Sequence, residues 1–117
     1  MKDEIAELTR RLAVFRDQRN WQQFHNPKDL AISISIEASE LLEVFQWKSE
    51  NEQVTPKVLD NVRDEAADVF LYLLMLCDRV GVDLIQAAND KIDRNESRFP
   101  VDRNYGNPTG VQGGEVG

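Results

Sequence analysis

Residues Val69 to Leu76 read VFLYLLML, eight apolar positions without interruption. At about 100° per residue, eight successive helical positions go round the whole circumference, so a helix built from them has no face to offer to water. A membrane span needs roughly 20 such residues, so this run must instead be enclosed by protein. The constraint is severe: other helices have to surround this one. The chain has 117 residues, enough for a single domain with a modest core. Four helices in about 100 residues do not easily enclose one of their own number, and the pattern therefore predicts a bundle completed by a second copy of the chain.

The other segments supply the enclosing helices. Ile5, Leu8, Leu12 and Phe15 recur at helical spacing and mark one face of a first helix over the opening residues. Asn26, Pro27 and Asp29 read as an N-cap, a proline at the first helical position and an acidic first turn, which start a second helix running to about Trp47. The polar loop KSENEQVTPK ends in a second cap, Thr55 with Pro56 behind it, and the third helix runs from there to Gly81. Asp83 and Gln86 have the spacing of a capping box for a fourth helix that Pro100 ends. The remainder, VDRNYGNPTGVQGGEVG, holds five of the six glycines and reads as a flexible tail. The expected organisation is a helical domain over residues 1–100 and a tail over 101–117. With no repeat of solenoid length and no segment patterned as a strand, the fold class is all-α, a four-helix bundle completed by oligomerisation.

Composition narrows the partners. Fourteen Lys and Arg stand against 21 Asp and Glu, a net charge of −7, which opposes binding to nucleic-acid polymers or anionic membranes. A single cysteine, Cys77, sits among apolar neighbours as an inert buried thiol, so the compartment is expected to be reducing. The opening MKDEIAEL lacks the apolar stretch of a signal peptide, and the expected location is the cytoplasm.

The placement of the acids matters more than their number. On a helical wheel Leu30, Ile34, Glu37, Leu41 and Val44 form one stripe, and Val58, Val62, Glu65, Val69, Tyr72 and Leu76 form another. Glu37 and Glu65 interrupt apolar faces at corresponding places. Each has an acidic companion three residues on, Glu40 and Asp68, while Glu43 lies farther round the second helix. An isolated Glu-x-x-Glu is ordinarily a solvated helix face, but that does not explain buried-face positions, where unpaired carboxylates cost several kcal/mol each. The basic residues nearby are few: Lys28 and Lys48 at the ends of the second helix, and Arg63 on another face of the third. A divalent cation fits better. All-oxygen ligands favour Mg²⁺ or Mn²⁺, whereas zinc draws on His and Cys and di-iron bundles use Glu-x-x-His, a spacing His25 does not provide. Carboxylate-held Mg²⁺ commonly keeps positions open for water and substrate phosphates.

Glu37-x-x-Glu40, a gap of 24 residues, and Glu65-x-x-Asp68 together resemble the signature of the MazG-like all-α nucleoside triphosphate pyrophosphohydrolases. The segments RNWQQFHNPKDL, EASELLEVFQW, DEAADVFLYLL, VDL and KIDRNESRFP occur in the order and spacing of the dCTP pyrophosphatase branch of that family. The chain departs at Ile36, where the family pattern has a further acid, and its tail offers only Arg103, Asn104 and Tyr105 where the branch often carries a longer basic segment. The resemblance implies Mg²⁺-dependent hydrolysis between the α and β phosphates of dCTP or a related or modified deoxynucleotide, a house-cleaning activity, in a homotetramer built from dimers. Glu37, Glu40, Glu65 and Asp68 resemble the metal ligands and catalytic acids.

The base-side residues implied by the same resemblance are Trp21, His25, Trp47, Tyr72, Lys91 and Asn95. Some also have positional support. Trp47 is seven residues from Glu40, two turns along nearly the same face, and Tyr72 is four residues from Asp68. Asn95 falls on the apolar stripe of the fourth helix, where an amide needs partners, with Lys91 and Arg98 on the same side. The rival readings are a relative acting on dUTP or phosphoribosyl-ATP, and a helical dimerisation module that binds metal and nucleotide without turnover.

Overall fold

The computed structural model describes residues 3–106. Its helices are α1 (Glu4–Gln18), α2 (Pro27–Phe45), α3 (Pro56–Val80), α4 (Leu84–Arg98) and the single turn α5 (Val101–Asn104), with a 3₁₀ turn at Gln22–Phe24; there is no strand among the described residues. The fold is all-α. The chain divides between Val82 and Asp83 into two compact units. α1, α2 and α3 make the first and α4 and α5 belong to the second.

The helix starts follow from the capping side chains. Asp3 accepts from the Ala6 N–H at 3.1 Å, Asn26 from Asp29 at 2.9 Å and Thr55 from Val58 at 3.2 Å, and Pro27 and Pro56 occupy first-turn positions whose N–H would have no helical partner. α3 stops at Gly81, which takes a left-handed φ of 77° while Val82 N–H donates to the Cys77 carbonyl at 2.8 Å. Asp83 caps α4 through the Gln86 N–H at 3.0 Å, but the expected capping box does not close. The Gln86 amide donates forward to Asp90 at 3.0 Å instead.

α2 packs against α3, and α1 packs against α3. Every residue of the two predicted stripes is buried or half-buried, whereas Asp60 and Asp64 on α3 are exposed. Among the described residues Leu30, Leu74 and Cys77 are the buried side chains, and burial pushes the Cys77 thiol above its usual range. Of the eight-residue apolar run only Leu74 is fully covered, and Phe70 is 38% exposed. Two further boundaries differ from the sequence expectation. α2 ends at Phe45 rather than Trp47, and residues 101–104 of the expected tail wind into α5. The rest of that tail, 107–117, lies outside the described residues. No described helix is long and apolar enough to cross a membrane.

Candidate active site

Pairing α2 with α3 brings the breaks in their two stripes to the same level. One carboxylate oxygen from each of Glu37, Glu40, Glu65 and Asp68 lies within 4.8 Å of the other three, and all four residues are half-buried. Glu37 Oε2 and Glu65 Oε2 are buried with no hydrogen-bond partner. Such a cluster cannot be comfortable with four charges. The Glu37 carboxyl is pushed up to about 7, first by burial, then by the hydrogen bond and charge of Glu40, then by the charges of Asp68 and Glu65. Glu65 is also raised, chiefly by its hydrogen bond with Glu40 and then by burial. Four converging carboxylates with orphaned oxygens and no basic side chain among them are a fitting cradle for a hard divalent cation. Glu43, by contrast, is exposed on α2 and stands outside the cluster.

A second feature opens beside the first. After α1 the chain reverses: Asn20 takes φ 55°, and the Trp21 N–H donates back to the Arg16 carbonyl at 3.0 Å. The reversal lays the Trp21 ring edge-on against Phe15, with centroids 5.7 Å apart, and stacks the Arg19 guanidinium 3.7 Å over Phe15. Between this corner and α3 is a cavity of about 200 Å³ with Trp21, Tyr72, Met75, Arg16, His25 and Asp68 in its lining. Asp68 therefore belongs to both the acid cluster and the cavity wall. His25 closes the 3₁₀ turn with Nδ1 buried and unpartnered, and burial together with the Arg16 charge lowers its pKa, which favours the neutral ring.

Three of the six expected base-side residues, Trp21, His25 and Tyr72, thus share one cavity next to the acids. Trp47 lies beyond the end of α2. The helix stops two residues before it, so the face shared with Glu40 does not extend that far, and its ring is 88% exposed. Lys91 and Asn95 belong to the second unit, on α4, both half-buried, with Asn95 Oδ1 buried and unpartnered. Arg16, Phe15, Leu71 and Met75 also line the cavity and were not expected to. The available signal was Arg16 at four residues from Leu12, on the edge of the α1 apolar face.

A sequence profile of the MazG-like family matches residues 32–111. Over 101 residues the chain is 40% identical to dCTP pyrophosphatase 1 of Mus musculus and 36% identical to that of Homo sapiens, with 83% of this chain and 59% of each relative covered. It spans about three fifths of the length of these curated relatives. A crystal structure of a pyrophosphatase from Archaeoglobus fulgidus is also similar, at 44% identity and a TM-score of 0.78, covering 86% of this chain and 95% of that one.

Proposed function

Since this chain belongs to the MazG-like family, we propose that it is a Mg²⁺-dependent nucleoside triphosphate pyrophosphohydrolase of the cytoplasm that converts dCTP, or a related or modified deoxynucleotide, to the monophosphate and pyrophosphate. The observation that carries this reading is the four-acid cluster sharing Asp68 with a largely apolar cavity, a metal cradle beside a place for a base. The dCTP pyrophosphatase and pyrophosphatase relatives support it.

Glu37, Glu40, Glu65 and Asp68 would hold the cation from two helices. Bound there, Mg²⁺ (or Mn²⁺ in its place) would polarise the α-phosphoryl oxygen, offset the charge on the departing pyrophosphate and acidify an attacking water. The side chains do the rest. α2 and α3 fix the four carboxylates in advance, so little reorganisation is left for the reaction. Trp21 and Tyr72 offer flat surfaces to a base. His25, neutral in its corner, has Nδ1 free to hydrogen-bond. Trp47, Lys91 and Asn95 are assigned to the substrate by family resemblance.

The test is a pyrophosphate-release panel over ribo- and deoxynucleoside triphosphates, with phosphoribosyl-ATP included, with and without Mg²⁺. dCTP with Mg²⁺ should be the best pair, and chelation should abolish release. Saturable binding without release in either metal would instead favour a non-catalytic module.

The same reading includes a homotetramer. Ile32, Ile36 and Leu42 on α2 and Leu59 and Phe70 on α3 are exposed, apolar side chains that partner chains would cover. Light scattering should give a mass near four chains. A stable monomer would remove the assignment.

A further inference from the structure

The cavity beside the acid cluster has one charged group that the metal does not need. Arg16 lines it together with Trp21, Tyr72, His25 and Asp68, and its side chain is 23% exposed. Its Nε donates to Asp17 Oδ1 at 2.9 Å, the one ion pair it makes among the described residues. That exposed bond uses the Nε–H and leaves the Nη1 and Nη2 donors to another acceptor pair. The cavity's other lining is largely apolar and aromatic, which suits a heterocyclic ring and not a triphosphate. At about 200 Å³ it is smaller than the roughly 300–1,000 Å³ of sites that enclose a whole drug-sized ligand, so it takes one end of a nucleotide while the phosphates stay with the acids.

We propose that Arg16 is the specificity-determining residue of this pocket, its guanidinium fork pairing with two adjacent acceptors on the edge of the base. Arginine has donors only. Cytosine presents O2 and N3 side by side as acceptors, which match a fork. Uracil and thymine carry a hydrogen on N3 and set a donor against a donor. The inference rests on the nucleotide pyrophosphohydrolase reading above and adds to it a physical source of base choice.

The experiment compares the wild-type chain with R16Q and R16K. For each, kcat/KM is measured on dCTP and dUTP with Mg²⁺, and binding of dCMP and dUMP is measured by calorimetry without turnover. R16Q should lower the dCTP/dUTP ratio by about 10–100-fold, mainly through KM. R16K keeps the charge but not the fork, and should fail to restore the ratio. The dCMP/dUMP affinity ratio should fall in parallel, whereas Mn²⁺ binding at the acid cluster, followed by electron paramagnetic resonance, should not change. An unchanged ratio in R16Q, or a full ratio in R16K, would overturn the proposal, and R16K decides alone if R16Q does not fold. Guanine offers a comparable O6/N7 pair, so dGTP joins the panel, and a preference for it over dCTP would also overturn it. If the wild type releases no pyrophosphate from any nucleotide, the enzymatic reading fails, while the monophosphate binding ratios still decide the role of Arg16.

Discussion

Replacing Glu40 by Gln, or Asp68 by Asn, should lower Mg²⁺-dependent pyrophosphate release by roughly 10³-fold, about 4 kcal/mol of transition-state stabilisation, while making the metal-free protein more stable. Both effects come from the same geometry. Each carboxylate offers a ligand oxygen to a point shared with the other three, and a neutral amide of nearly the same shape loses the charge that holds a hard cation. In the absence of metal that charge is a burden. Glu40 is a leading cause of the raised Glu37 and Glu65 pKa values, and Asp68 adds to both. Removing either should relieve repulsion and raise the melting temperature by a few degrees. Circular dichroism would show the native helix content and the higher midpoint, and a pyrophosphate assay would show the lost activity. The opposite signs separate this prediction from a folding defect, which would lower both. Retained activity in both variants would remove the metal assignment.

What the sequence made legible is local. The stripes on α2 and α3, each interrupted once by Glu37 or Glu65, depend on helical periodicity and a two-helix contact. The position of one break against the other followed once both stripes faced inward. Caps at Asn26, Thr55 and Gly81 were likewise read from the residues that make them. What stayed hidden depends on tertiary choices. The corner at Asn20, which sets Trp21 edge-on against Phe15, uses a positive φ and a hydrogen bond back into α1. No hydrophobic period encodes either. Trp47 falls two residues beyond the end of α2 and is 88% exposed, and a helical wheel does not describe a side chain past the helix end. The capping box at Asp83 failed for a similar reason: Gln86 had a second acceptor, Asp90, one turn on.

Without metal, the stability of the chain should fall as pH rises from about 5 to 8, and saturating Mg²⁺ should reverse that slope. The folded chain holds a proton on Glu37 up to about pH 7, whereas an unfolded Glu releases it near 4.3. The folded state therefore binds the proton more tightly, so this contribution is full below the unfolded pKa and is lost as pH climbs through the folded one. Glu65, also raised, acts in the same direction. The unscreened Glu37 shift corresponds to about 4 kcal/mol, and solvent screening of a half-exposed cluster leaves on the order of 1 kcal/mol. His25 works against it. Its lowered pKa adds stability that is present above about 6.5 and lost as pH falls. The readout is therefore the difference between melting curves with and without Mg²⁺ at matched ionic strength, in which His25 largely cancels. Cation binding needs the acids deprotonated, so this difference should widen with pH, towards about 2.7 kcal/mol at a hundredfold excess over Kd. Calorimetry at pH 6.5 in two buffers of unlike ionisation enthalpy should also show close to one proton released per Mg²⁺ bound. A Mg²⁺ shift that is the same at pH 5.5 and 8, with no proton release, would mean that the ion binds elsewhere and that the four carboxylates are not its ligands.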